Sequence, residues 1–145
     1  MHALEFALRD ATLADAPRIA QLLTDEGYPA GPSDIVERLK RFQVGASRVL
    51  VALAGDEVVG FTAVHVMPRF EHGDRIARVL ALVVDAGVRE RGLGHRLMLG
   101  AEALAREAGC AFVEVTAGHH RPDAQHLYES LEYDPGVAAY LRKRL

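Results

Sequence analysis

This chain has one cysteine, no tryptophan, no excess of positive charge and no long apolar run. The lone Cys110 excludes internal disulfides. Aromatic residues make up 6% of the 145 positions, and 17 Lys plus Arg stand against 20 Asp plus Glu. The formal net charge of −3 offers no basic face, so nucleic acid is not an expected partner. The longest apolar run, Val79 to Val84, is far too short to cross a bilayer, so no membrane partner is expected either. The first residues, Met1 to Glu5, lack the basic-then-apolar order of a secretion signal, which makes the cytoplasm the default expectation. What the chain does have is a half-apolar composition and turn residues scattered singly, without repeats or low-complexity tracts. That combination predicts one domain spanning residues 1–145.

Periodicity supplies the elements. Leu4 to Leu8 reads weakly as a first strand. Thr12 followed by Asp15 resembles a capping box, and Ala16, Ile19, Ala20 and Leu23 then recur at helical spacing. The stretch Gly27 to Pro32 breaks that helix. Ser33 is placed to cap a second one, on which Ile35, Leu39 and Phe42 share a face. Val49 to Ala54 and Val58 to Met67 read as a hairpin around Gly55 and Asp56. The polar loop Arg69 to Asp74 follows. Ile76 to Val84 is apolar almost throughout, which predicts a strand covered on both faces. Leu93, Leu97, Ala101, Leu104 and Ala108 form a helical stripe that Gly109 ends. Residues 112–117 alternate as a strand. Pro122 opens a short helix lined by Ala124, Leu127, Tyr128 and Leu131. Val137 to Leu141 reads as a last strand. The hairpin implies antiparallel pairing, and the strand-helix-strand unit from Val79 to Ala117 implies one right-handed parallel crossover.

One segment carries chemistry. Leu82 to Asp85 is the end of a buried strand, and Arg89-Glu-Arg-Gly-Leu-Gly94 lies between it and a helix. That order sets free backbone N–H groups at a helix N-terminus beside two arginines, an arrangement that binds phosphate. The loop also matches the R/Q-x-x-G-x-G/A pattern of the GNAT acyltransferases. A second stretch, Arg121-Pro-Asp-Ala-Gln-His-Leu-Tyr-Glu129, looks like that family's R-x-x-A-x-x-(F/L)-Y-E motif. With both motifs in order, separated by one helix and one strand, the whole chain resembles a GNAT-superfamily N-acetyltransferase.

The resemblance implies a mixed, mostly antiparallel twisted sheet of six to seven strands with helices on both faces, an α/β (α+β) fold. It implies acetyl-CoA as donor and no metal. The cofactor site would comprise Leu82, Val83 and Val84, whose edge would bond the pantetheine amides as an added strand does. It would continue through Arg89, Glu90, Arg91, Gly92, Leu93, Gly94 and His95, with the amides from Arg91 to His95 holding the pyrophosphate and Arg89 and Arg91 adding charge. Glycine at 92 and 94 would let phosphate reach the backbone. A strand N–H near Leu82 or Val83 would stabilise the thioester oxyanion. Tyr128 would protonate the departing thiolate. The acceptor would be a small-molecule or peptide amine, bound near Glu26 and Tyr28 between the first helices, with Glu71 and His72 as further substrate contacts. Relatives of this kind often form homodimers.

Two departures from the family pattern stand out. Relatives often carry a Glu near position 80, where this chain has Leu80 and Ala81. The base therefore has to be sought among Glu71, His72, His65, Glu114, His119 and His120. Glu132 stands where the family usually has glycine, so the helix after Tyr128 is expected to end differently. Missing the carboxylate also keeps open a rival reading, a non-catalytic acyl-CoA-binding sensor of the same fold. A nucleotide enzyme is disfavoured, since neither G-x-x-x-x-G-K-S/T nor G-x-G-x-x-G is present. His119 and His120 lack a third ligand at metal-like spacing, and Cys110 reads as a buried thiol, not a nucleophile.

Overall fold

The computed structural model describes residues 6–116 and 122–145. In chain order it contains β1 (Ala7–Asp10), α1 (Ala16–Asp25), α2 (Pro32–Phe42), β2 (Arg48–Ala54), β3 (Glu57–Pro68), β4 (Arg75–Val84), α3 (Leu93–Glu107), β5 (Cys110–Val115) and α4 (Pro122–Ser130). The strands lie in sequence order in one sheet. Every neighbouring pair is antiparallel except β4 with β5, the parallel pair that the α3 crossover joins.

Two apolar layers sandwich this sheet. Helices α1 and α2 bury Ile19, Leu22, Ile35 and Leu39 against Val49, Val51, Phe61 and Val83. Helix α3 buries Leu93, Leu97, Met98 and Ala101 on the opposite side, among Ala52, Val59, Val64 and Val79. Alternation along β3 and β4 feeds the two layers in turn, which is why both strands are apolar at nearly every position.

Local chemistry explains the helix starts. The Asp15 carboxylate accepts the Thr12 N–H at 2.8 Å, the expected capping arrangement. The second helix starts two residues earlier than the Ser33 cap implies. Gly31 is its N-cap and Pro32 its first residue, with Asp34 Oδ2 accepting the Gly31 N–H at 2.9 Å. Pro32 suits this position because a first-turn N–H has no helical acceptor to lose.

Four expectations need correction. Among the described residues the sheet has five strands, not six to seven. The first strand is Ala7–Asp10 rather than Leu4 to Leu8, whose first two residues lie outside the described residues. Residues 137–141 form no strand: Val137 is 72% and Leu141 88% exposed. An apolar pentapeptide becomes a strand only where a sheet edge receives it, and among the described residues none does. Nor is β4 covered on both faces throughout, because Leu80 is 57% exposed. A register shift explains this: Ala63 pairs with Ala81 but Val64 with Val79, so Leu80 is the extra residue of a bulge.

Candidate active site

Strands β4 and β5 pair from Arg75–Cys110 to Val79–Val115, and there the pairing stops. Among the described residues, β4 runs on to Val84 with only β3 beside it. On its β5 side the backbone groups of Leu82 and Val84, which alternate with those of Val83 and Asp85 that face β3, therefore keep the hydrogen-bonding capacity of a sheet edge. The bulge at Leu80 lies where the two strands part. Position 82 is held from the other side, where its antiparallel partner Thr62 donates its hydroxyl to the Ala81 carbonyl at 2.9 Å.

The chain leaves β4 through a braced turn. Asp85 N–H donates to the Val59 carbonyl at 2.8 Å, and the Asp85 carboxylate accepts the Gly87 N–H at 2.8 Å. Arg18 of α1 donates to the same carboxylate and, through Nε, to the Val58 carbonyl at 2.8 Å. The Gly87 hydrogen bond and the Arg18 guanidinium hold the Asp85 carboxyl below the usual range. This brace has no signature in sequence, since its partners are 67 residues apart.

Beyond it, Glu90 (φ 66°) and Gly92 (φ 80°) both take left-handed conformations. Gly92 is the N-cap of α3, and the Arg96 N–H is the one that returns to its carbonyl, at 3.0 Å. The N–H groups of Leu93, Gly94 and His95 lie in the first turn, without helical acceptors. Arg89, Glu90, Arg91, Gly92 and His95 are exposed, while Leu93 is buried as an anchor. Arg96, not singled out from sequence, adds another exposed cation at the fourth residue of the helix.

The two glycines serve different ends. A Cβ on Gly92 would meet nothing within 4 Å, so its surface is open to a ligand. A Cβ on Gly94 would lie 3.1 Å from Leu127 Cδ2, so glycine there also lets α4 pack against the start of α3. That contact brings the α4 segment carrying Tyr128 to the head of α3. Tyr128 is 9% exposed, in the same apolar cluster as Val79 and Met98, and its ring meets Tyr133 edge-on at 6.1 Å. Tyr133 donates to Glu102 at 2.9 Å, and burial together with that carboxylate raises its pKa strongly.

The expected acceptor residues divide. Glu26 reaches the loop, but as the ion-pair partner of Arg89 at 2.8 Å. Tyr28 is 59% exposed beside it. Glu71 and His72 lie in the turn before β4, at the opposite end of that strand from Leu82. Seven residues of strand place them roughly 20 Å away, so the structure does not bring them to the site. Glu114 is committed to Arg78 at 2.8 Å. His119 and His120 fall outside the described residues. Cys110 is half-buried, and desolvation raises its thiol pKa, as befits a packing residue.

On the α2 side of the sheet the exposed Leu80 borders a cleft of ≈ 390 Å³ shared with Arg41, Phe42, Val44, Ser47 and His65. Leu80 thus connects two spaces, the split between β4 and β5 and this cleft.

Comparison with known proteins gives the arrangement its family. Blasticidin-S acetyltransferase of Streptomyces morookaense is 34% identical over 139 residues, covering 86% of this chain and 93% of that protein. An aminoalkylphosphonate N-acetyltransferase of Salmonella typhimurium is 33% identical over 78 residues, 54% of this chain and 51% of that relative, so the match spans about half of the relative's length. In fold, the chain is similar to a transcriptional regulator from Bacillus halodurans C-125, with a TM-score of 0.89 at 24% identity over 97% of this chain and 100% of that one. Residues 15–133, which run from the capping carboxylate before α1 to the tyrosine edge-on to Tyr128, match the Acetyltransferase (GNAT) family, and the chain belongs to it.

Proposed function

We propose that the protein moves an acetyl group from acetyl-CoA to a primary amine by direct attack in a ternary complex. The observation that carries this reading is the parting of β4 from β5 beside the open N-terminus of α3. A diphosphate would take the N–H groups of Gly92 to His95, with Arg91 and Arg96 supplying charge. The pantetheine amides would lie along Leu82, Val83 and Val84 as a short added strand. The thioester carbonyl then falls near the bulge, where one strand N–H would lower the barrier by about 3 kcal/mol as its oxygen becomes an oxyanion. Tyr128 would give its proton to the departing thiolate. The attacking amine arrives from the cleft past Leu80.

A second reading, an acyl-CoA-binding module without turnover, is favoured by one feature, the exposed apolar Leu80 where relatives often place a carboxylate. One experiment separates the two. Calorimetry with coenzyme A is expected to give micromolar to sub-millimolar binding, and acetyl-CoA with a panel of primary amines should release free thiol. Tyr128→Phe should lower kcat tenfold or more and leave coenzyme A affinity within about twofold. Binding without thiol release for every amine would support the module. No binding at millimolar coenzyme would remove both readings.

A further inference from the structure

Among the candidate bases that lie in the described residues, His65 is the one that the fold sets in the cleft beside Leu80. It stands on β3 opposite Arg78, next to the pair after which β4 bulges. Its Nδ1 lies 3.0 Å from Ser47 Oγ, and Ser47 is only 3% exposed. The same Oγ accepts the Val66 N–H at 3.1 Å, so the hydroxyl is tied to the backbone next to the histidine. The Phe42 ring packs against the imidazole with centroids 6.2 Å apart. A side chain fastened at one nitrogen and along one face has its orientation set before any ligand arrives.

Resting on the transferase reading above, we propose that His65 deprotonates the acceptor amine through Nε2, with Ser47 as its positioning residue. Base catalysis at Nε2 uses the tautomer in which Nδ1–H donates to the second lone pair of Ser47 Oγ, beside the one that the Val66 N–H takes, and the 3.0 Å contact accommodates it. The substrate ammonium gives one proton to Nε2, which passes it to water through the open mouth. The neutral nitrogen then forms the C–N bond to the thioester carbonyl, and the C–S bond breaks as the adduct collapses. The nitrogen's second proton balances the one taken up by the thiolate, so each amide formed releases one proton to solvent. The charged neighbours of the imidazole are Arg41 from α2 and Arg78 from β4. Arg78 is compensated by Glu114. Ser47 from the turn before β2 and Leu80 from the bulge complete the surroundings without charge.

The test compares wild type, His65→Asn and Ser47→Ala across pH by thiol release from acetyl-CoA with the amine panel, with coenzyme A affinity measured in parallel. Asn keeps a donor near the Nδ1 position and has no base. It should lose thirtyfold or more of kcat/KM for the amine at neutral pH, within the usual span for base catalysis. Its deficit should close at alkaline pH, where the free amine forms unaided, and coenzyme A affinity should stay within twofold. Ser47→Ala should shift the acid-side inflection without abolishing it. His65→Ala should be partly rescued by added imidazole, which separates a chemical role from a structural one. A His65→Asn enzyme with wild-type rates and an unchanged acid limb would overturn the assignment while leaving the transferase reading intact. A wild-type chain that binds coenzyme A and acetylates nothing would overturn both.

Discussion

Glu132 shows how one residue accommodates a position built for another. The helix after Tyr128 ends with the Tyr133 N–H donating to the Tyr128 carbonyl and the Glu132 N–H to the Glu129 carbonyl, both at 3.0 Å. Those two bonds are the Schellman pattern, which places residue 132 in the left-handed region where glycine is usual. Sequence reading predicts a different helix end because glutamate disfavours that conformation. In fact Glu132 adopts it, at φ 69°, and the ending is retained. The contacts that override the local preference are those of Tyr133, edge-on to Tyr128 and hydrogen-bonded to Glu102. Such a backbone costs a residue with a Cβ about 1 kcal/mol. Glu132→Gly is therefore expected to raise unfolding free energy by about 1 kcal/mol, less the greater entropy of glycine in the unfolded chain. Urea denaturation checks this, and a destabilised variant would show that Glu132 makes a compensating contact. Thr12 and Asp15 were legible because their chemistry is complete within four residues. Ser33 misled because Gly31, Pro32 and Asp34 satisfy the same helix start two residues earlier.

At the scale of elements, the loop, both cofactor-side glycines and the strand before them were readable, since each lies within one continuous stretch. The arrangements between distant stretches were not. The extra residue at Leu80 leaves no mark in an unbroken apolar run, and the sheet's final width depends on whether residues 137–141 find an edge. Glu26 was expected at the acceptor and is found holding Arg89, because nothing in its neighbourhood announces a partner 63 positions away. This pair clamps the α1–α2 connection to the phosphate-type loop. An anion entering that loop must share Arg89 with a carboxylate. Glu26→Gln is expected to tighten coenzyme A binding, but by no more than about fivefold, since a half-exposed ion pair is worth at most ~1 kcal/mol. Calorimetry on the two proteins decides it, and weaker binding in the variant would mean that Glu26 holds Arg89 in its productive place.

The molecule as a whole is closed at one end by Arg9 and Asp15. Arg9 of β1 donates twice to the Asp15 carboxylate, at 2.7 and 2.9 Å, and joins the edge strand to the start of α1. The hydrogen bonds from Arg9, ahead of that from Thr12, hold the buried Asp15 carboxyl below its usual pKa. A depressed carboxylate contributes stability that is complete above the ordinary value of about 3.9 and is lost as pH falls through the lowered one. Asp15→Asn should cost about 2 kcal/mol at pH 7. That difference from wild type should shrink at about pH 3, as urea unfolding at the two pH values would reveal. A constant difference would assign the loss to packing. The other consequence concerns Cys110. With its sulfur half-covered beneath α3 and its ionisation discouraged, the protein's own thiol is a poor competitor for a chromogenic disulfide. Colour developing during turnover would then belong to liberated coenzyme, and the enzyme would be nearly silent in the assay that judges it.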